Sequence, residues 1–89
     1  MQQPYLEVTF RHGKPIAGYY YLPRPTKQKS YRTEKLSSGL LVDYNRAGRP
    51  IGIEITAPGE ISLTVVNRVL RRLGQQPLQK QELAPLLAA

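Results

Sequence analysis

Few side chains in this sequence have types that could carry out chemistry. His12 is the only histidine and there is no cysteine, so a metal site would need carboxylates for its other ligands. Asp43 and Glu54 belong to consecutive predicted strands, where they could share one face of a hairpin and act as an acid–base pair or bind a divalent cation. Alternatively, they are solvated or pair with Arg46 and Arg49. Since no glycine-rich phosphate loop, nucleophile elbow or metal-spacing motif is present, the sequence predicts no enzyme, no catalytic residue, no metal and no cofactor.

Basic residues clearly outnumber acidic ones. Thirteen Lys and Arg against six Asp and Glu give a net charge of +7. Such an excess in a small domain favours polyanions, although many small basic proteins carry charge only for solubility. One cluster has Tyr31 among its members and suits phosphates and an unpaired base: Arg24, Lys27, Lys29, Arg32 and Lys35. The alternative is a solvated loop whose lysines protect an edge strand from aggregation.

Three arginines on the outer side of a predicted helix would extend this basic surface if the helix and the loop were adjacent. The sequence does not show adjacency, and charge is usual on the outer side of any amphipathic helix. The candidate nucleic-acid-binding residues are therefore the five cations above, Tyr31, and the helix residues Arg68, Arg71 and Arg72.

The run Tyr19-Tyr20-Tyr21 is the main aromatic feature. In a strand, Tyr20 points to one face of the sheet, and Tyr19 and Tyr21 point to the other. Either both faces are covered, as in a core or at a dimer contact, or one face exposes aromatic rings. The three tyrosines are therefore candidate residues of a partner interface, and core packing on both sides is the alternative.

Alternation of apolar and polar residues predicts five strands in antiparallel hairpins, separated by turns rich in Gly, Pro and Asn. The predicted strands are residues 5–10, 16–22, 31–36, 40–44 and 51–56, with an exposed loop at 23–30. In the first strand Leu6, Val8 and Phe10 point to the core. In the fifth strand the isoleucines at 51, 53 and 55 share one face.

After the last strand the apolar period changes from two to about 3.6, which predicts a helix over residues 62–74. Ser62 is a suitable N-cap and Gly74 a suitable stop. The tail, 75–89, is expected to add only a helical turn near 80–83, because Pro85 prevents a longer helix. The prediction is one domain over residues 1–89 of class α+β, a small antiparallel sheet followed by one C-terminal amphipathic helix packed on it.

The compartment is predicted from three absences in the sequence. Cysteine is absent, which favours a reducing cytoplasm. The N-terminus lacks a basic region followed by an apolar stretch, so no signal peptide is expected. No apolar run reaches the roughly 20 residues needed to cross a bilayer. A soluble cytoplasmic protein is therefore expected, with no membrane partner.

Two adjacent segments carry a distinctive pattern: Leu-Ser-Ser-Gly-Leu-Leu-Val-Asp-Tyr-Asn at 36–45 and Gly-Arg-Pro-Ile-Gly-Ile-Glu-Ile at 48–55. They resemble the signature of the domain of unknown function 2283 family, which consists of short prokaryotic proteins. The resemblance implies a compact β-rich fold with a terminal helix and no established activity. The chain departs from the family at residues 11–15, Arg-His-Gly-Lys-Pro, where family members tend to have an acidic turn.

Some relatives in that family lie beside small toxin-like proteins, so the resemblance implies an antitoxin-like role. The leading hypothesis is a non-enzymatic binding or regulatory protein that acts through a protein partner, either a second copy of itself or a toxin-like protein. The alternative hypothesis is a basic nucleic-acid-binding module.

Overall fold

The computed structural model describes residues 2–25 and 27–87, so Thr26 of the predicted loop and residues 88–89 of the predicted tail lie outside the described residues, as does Met1. The elements, in chain order, are β1 (Tyr5–Arg11), β2 (Lys14–Tyr21), β3 (Arg32–Ser37), β4 (Leu40–Tyr44), β5 (Pro50–Ile55), a short 3₁₀ turn (Pro58–Glu60), α1 (Leu63–Arg72) and α2 (Lys80–Leu87). The predicted α+β class is confirmed, with two helices after the strands in place of one.

The five strands form one antiparallel sheet in the order β1-β2-β5-β4-β3. Three of the four pairings join neighbours in sequence, and the fourth brings β5 between β2 and β4. The β1–β2 hairpin closes on His12 and Gly13, both of which have positive φ, the backbone that a two-residue hairpin turn requires.

The core lies on one face of this sheet, here called the inner face. Its apolar side chains alternate along β2, β4 and β5 and meet the apolar sides of both helices, as period-two and period-3.6 patterns require. The side chains with less than 2% exposure come from β4, β5 and both helices and from the residue that follows β2: Leu22, Leu40, Val42, Ile53, Ile55, Val66, Leu70, Leu83 and Leu86. The isoleucines at 51, 53 and 55, which were predicted to share one face of the strand, are all buried.

Phe10 is the exception to the predicted core face, because it is 55% exposed. Leu6 and Val8 pack against the core, but β5 pairs with β2 only over Gly18–Tyr21, so the far half of the β1–β2 hairpin extends beyond the rest of the sheet. The register also shifts between Thr9 and Phe10. The prediction for Phe10 is wrong because the strand continues past the surface that the helices cover.

Helix α1 begins and ends as its sequence predicts. Ser62 is the N-cap, and its hydroxyl accepts a hydrogen bond from the Val65 amide at 3.2 Å. Gly74 has a φ of +73°, and the Gln75 amide donates to the Leu70 carbonyl at 2.8 Å. This is the left-handed glycine termination that satisfies the last carbonyls of a helix.

Helix α2 contradicts the prediction that Pro85 limits the tail to a single turn, since α2 continues through Pro85 to Leu87. Pro85 is exposed and is the sixth of the eight residues of α2, so it removes one backbone hydrogen bond, the one to the carbonyl of residue 81. Leu83 and Leu86 are fully buried, and Leu86 lies directly on Gly18 of β2, where a Cβ would come within 2.8 Å of its methyl carbons. Packing on the sheet therefore outweighs the local cost of the proline.

Asn67 fastens the segment between the helices to α1. Asn67 is a buried residue of α1. Its side-chain nitrogen donates to the backbone carbonyl of Leu78 at 2.9 Å, and its side-chain oxygen accepts from the backbone amide of Leu78 at 2.7 Å. The side chain thus pairs with the Leu78 backbone in the way that a neighbouring strand would. This places Leu78 in the core and sets the direction in which the chain enters α2.

We expect Asn67→Ala to lower the free energy of unfolding by about 2–4 kcal/mol, because two buried backbone groups at Leu78 lose their partners. Urea unfolding followed by circular dichroism measures the loss. Gln76→Ala, at an exposed position in the same connection, is the control and should change stability by less than about 0.5 kcal/mol. Equal effects of the two substitutions would contradict the role given to Asn67.

Candidate functional site

The face of the sheet opposite the helices, here called the outer face, carries two cross-strand rows of side chains. The first row, in sheet order, is Tyr5, Tyr21, Gly52, Asp43 and Thr33; the second is Glu7, Tyr19, Glu54, Leu41 and Lys35. Neighbours within a row lie close enough for direct side-chain contact. The outer face is therefore where the strand register gathers aromatic, acidic and hydroxyl groups.

Tyr5, Tyr19 and Tyr21 form a continuous aromatic group on the outer face, here called the tyrosine cluster. The rings of Tyr5 and Tyr21 are stacked with centroids 4.3 Å apart, and Tyr19 meets Tyr21 at 4.7 Å in a tilted arrangement. The Arg24 guanidinium lies over the Tyr21 ring, 4.6 Å from its centroid. Such stacking and cation–π contacts fix the rings while leaving Tyr5 49% exposed.

Gly52 allows Tyr19 to cross the sheet. A Cβ on Gly52 would lie 2.2 Å from the Tyr19 hydroxyl oxygen, so any other residue here would displace the ring. Over this gap the Tyr19 hydroxyl reaches from β2 across β5 and donates to the Asp43 carboxylate on β4 at 2.6 Å. The glycine is therefore the reason that two strands not directly paired share a side-chain hydrogen bond.

Asp43 is the acceptor on which three hydroxyl groups converge. Its Oδ2 accepts from Tyr19, and its Oδ1 accepts from Ser30 at 3.1 Å and from Thr33. The expected alternatives for this carboxylate were solvation or a pair with a neighbouring arginine, and the structure places hydroxyl donors there. The arrangement links the 23–30 loop, through Ser30, to the tyrosine cluster.

The tyrosines of β2 are held in their protonated form. Burial raises the pKa of Tyr19 well above its ordinary value of 10.0, and the hydrogen bond to Asp43 and the negative charge of Asp43 raise it further. Burial also raises the pKa of Tyr21, with the charge of Glu7 adding to it. Tyr19 is consequently a hydrogen-bond donor at neutral pH and is unsuited to act as a base.

Tyr20 corrects the predicted partner interface. It is only 8% exposed and belongs to the core on the inner face, because alternation sends its ring opposite to those of Tyr19 and Tyr21. Its place on the outer face is taken by Tyr5, which pairs with Tyr21 in the β1–β2 register. The sequence indicated that Tyr5 faces outward from the first strand. That it stacks on Tyr21 follows only from the register of the hairpin.

Asp43 and Glu54 do lie on the same face, as the predicted hairpin allowed, but in different rows. Among residues 2–25 and 27–87 no group of three or more His, Asp or Glu side chains is placed to hold a metal ion. A cleft of about 240 Å³ lies between the N-terminal segment and the α1–α2 connection and is lined by apolar and glutamine side chains with Tyr20. Its size is below that of typical small-molecule sites.

The predicted basic loop packs against the β4–β5 turn. The side-chain nitrogen of Asn45 donates to the side-chain oxygen of Gln28 at 2.7 Å, and the Arg49 guanidinium donates to the Pro23 carbonyl at 3.4 Å. Arg46 lies over the ring of Tyr31, 5.5 Å from its centroid. Two segments that carry cations are thus joined where β4 turns into β5, and their basic residues with Tyr31 are here called the basic end: Lys27, Lys29, Arg46 and Arg49.

The remaining candidate cations lie elsewhere. Arg32 points to the inner side, where it stacks on Tyr44 at 4.1 Å and forms an ion pair with Glu34. Lys35 is in the second row of the outer face. The helix arginines Arg68 and Arg72 flank a separate cleft beside β3, and Arg71 is exposed on the same helix. Arg46 and Arg49 were missed as binding candidates because only folding brings their turn to the loop.

No protein-family model, curated protein or solved structure matches the chain. The resemblance of residues 36–55 to the domain of unknown function 2283 family therefore stays a prediction. Neither helix in the described part of the chain is long and apolar enough to traverse a bilayer.

We expect Asp43→Asn to lower the pKa of the Tyr19 phenol, because the substitution removes a negative charge that disfavours tyrosinate. Ultraviolet titration of tyrosinate measures this, with Tyr19→Phe identifying the Tyr19 transition. Since the raised pKa favours the folded state below pH about 10 and this contribution is lost as pH rises further, Asp43→Asn should also reduce the loss of stability in alkaline solution.

Glu7→Gln is the matched control for this titration. The Glu7 carboxylate accepts from the Tyr21 hydroxyl at 3.3 Å, so its replacement should lower the pKa of Tyr21 and should not lower that of Tyr19. A Tyr19 transition that does not move in Asp43→Asn would mean that the hydrogen bond across Gly52 does not persist in solution.

Proposed function

We propose that this chain is a non-enzymatic binding module that acts through a protein partner, contacting it with the outer face, in a regulatory or antitoxin-like role. The observation that carries the proposal is the tyrosine cluster, which is ordered by Arg24 and Asp43 yet remains partly exposed. Tyrosine is enriched in protein interfaces and in their energetic hot spots, because one ring contributes both apolar area and a hydroxyl.

The cluster is also suited to binding because its rings are already fixed. Side chains that lose rotamer freedom on association cost about 0.5–1.5 kcal/mol each, and rings held by stacking and hydrogen bonds avoid much of that cost. Tyr5 and Tyr21 are stacked, and Tyr19 is held by Asp43. The outer face can therefore meet a partner with little rearrangement of its own side chains.

The charge of the outer face favours a protein over a polyanion. Three of the six acidic residues lie in its two rows, Glu7, Asp43 and Glu54, against Lys35 within the rows and Arg24 over the rings. A phosphate backbone would meet these carboxylates, whereas a protein surface can present cations to them and apolar groups to the rings.

We expect the double substitution Tyr5→Ala, Tyr21→Ala to weaken partner binding by about 30-fold or more, the effect of losing a hot spot of about 2 kcal/mol. Light scattering after gel filtration shows whether the partner is a second copy of the chain. If the protein is monomeric, capture of a partner from the source cells, followed by titration with that purified partner, measures the affinity.

Tyr31→Ala is the matched control, because Tyr31 is 65% exposed but belongs to the basic end and takes no part in the ring contacts of the tyrosine cluster. It should bind as the unsubstituted protein does. The proposal fails if the protein is monomeric and captures no specific protein, or if Tyr31→Ala weakens binding as much as the double substitution.

A second candidate function, nucleic-acid binding, is favoured by the basic end. There the loop that carries Lys27 and Lys29 is hydrogen-bonded to the β4–β5 turn that carries Arg46 and Arg49, and Arg46 lies over the exposed ring of Tyr31. Glu34 is paired with Arg32. On this surface the cations could bind phosphates, and the Tyr31 ring could stack on a base. This surface is joined to the outer face through Ser30, which donates to Asp43, but it shares no residue with the two rows, so one chain can carry both functions.

We expect the triple substitution Lys27→Ala, Lys29→Ala, Arg46→Ala to weaken oligonucleotide binding for all sequences and to lower the salt slope by about one for each cation removed. Fluorescence anisotropy with labelled single- and double-stranded oligonucleotides, at low and near-physiological salt, measures both. The control is Arg68→Ala, Arg71→Ala, Arg72→Ala, which removes the same charge from α1. Equal weakening by the two triples would reduce this candidate to non-specific attraction to the net charge of +7.

A further inference from the structure

Strand β3 is an edge strand with no neighbour on its outer side among the described residues. It is the last strand in the sheet order and pairs with β4 alone. Residues Arg32 to Lys35 are all exposed. Half of the backbone amide and carbonyl groups of an edge strand point away from the sheet, where they can pair with another extended chain.

Helix α1 runs beside this edge and forms a cleft with it. The cleft has an apolar floor from Leu36, Val65 and Val69, and Ser37 completes the strand side. Its volume is about 80 Å³. A site for a free small molecule is usually several times larger, so an occupant of this cleft must obtain most of its affinity outside it.

Two arginines flank the cleft. Arg68 and Arg72 are one helical turn apart, which puts them on the same side of α1, and both are exposed. The residues that line the cleft include no carboxylate. Each guanidinium is therefore available to a carboxylate of a bound partner, with which arginine can form a bidentate ion pair.

We propose that the β3 edge and α1 form a groove for an extended acidic peptide segment, which adds to β3 as a sixth strand. One apolar side chain of the segment enters the cleft, and carboxylates two residues to either side meet Arg68 and Arg72. Since alternate residues of a strand share a face, all three side chains project to the inner side, towards α1. The groove is distinct from the outer face, so the inference stands whether or not the tyrosine cluster binds a partner.

The geometry favours a peptide over a nucleic acid at this place. A peptide can satisfy the outward backbone groups of β3 and fill the apolar cleft at the same time. A phosphate backbone would engage the arginines but would leave the β3 amides unpaired and the apolar floor uncovered. Protection of the β3 amides on binding consequently distinguishes the two occupants.

The test uses a labelled peptide of sequence Thr-Glu-Thr-Val-Thr-Glu-Thr, which places Glu, Val and Glu on one face of a strand. Anisotropy measures its affinity for the full chain, and amide NMR with hydrogen exchange reports on residues 32–37. We expect binding with protection of β3 amides. A peptide with Lys in place of Glu, and one with Pro in place of the two central Thr, should bind at least about 10-fold more weakly, since the first repels the arginines and the second loses backbone donors.

On the protein side, Arg68→Gln with Arg72→Gln should weaken the acidic peptide about 10-fold or more, as expected for the loss of charge-assisted hydrogen bonds. Arg71→Gln is the matched control, because Arg71 is exposed on α1 but absent from the cleft lining, and it should leave affinity unchanged. All three residues are exposed, so circular dichroism should show the fold intact.

The inference is overturned if the acidic peptide does not bind at millimolar concentration, if it binds without protecting β3, or if the proline peptide binds equally well. It is also overturned if Arg71→Gln weakens binding as much as the double substitution, or if a single-stranded oligonucleotide protects the β3 amides and the peptide does not. Loss of partner capture by the tyrosine-cluster variant, with peptide binding retained, would separate this groove from the outer face.

Discussion

Burial of the inner face of the sheet against α1 and α2 is the interaction on which the rest of the structure depends. Neither helix buries enough apolar surface to be stable alone, and a sheet of short strands needs a covered face. The fully buried side chains come from β4 and β5, from Leu22 just after β2 and from both helices, so sheet and helices bury each other's apolar sides. Asn67 then joins the two helices into one cover by pairing with the backbone at Leu78.

Because the helices cover only the inner face, the outer face is in contact with water. Its polar side chains nevertheless need hydrogen-bond partners. The outer face supplies them through side-chain contacts across strands. Tyrosine rings stack on each other and under Arg24, and the Asp43 carboxylate accepts from three hydroxyls. Gly52 is the position that makes this network continuous, since the Tyr19 ring occupies the space that a side chain there would fill. The same order would let the face bind the proposed partner with little rearrangement of its side chains.

The local elements were predictable from the sequence, whereas their long-range partners were not. Period-two alternation located all five strands, and Ser62 and Gly74 gave the limits of α1, because these signals depend on neighbouring residues. Phe10 and Pro85 were misjudged because their outcome depends on where the helices end and on what Leu86 packs against. The row that joins Tyr21 to Asp43 requires β5 to lie between β2 and β4, and alternation alone cannot specify that order. For the same reason, Arg46 could not be placed beside Tyr31 before the fold was known.

The contact of Leu86 with Gly18 also has a consequence for the order of events during synthesis. The β1–β2 hairpin is made first, yet its inner face is covered by α2, which follows every other element in the chain. The pairing of β2 with β5 likewise joins residues more than 30 positions apart. The apolar side of the hairpin therefore stays exposed to water until residue 86 has emerged from the ribosome. Folding is expected to complete only after α2 has been translated.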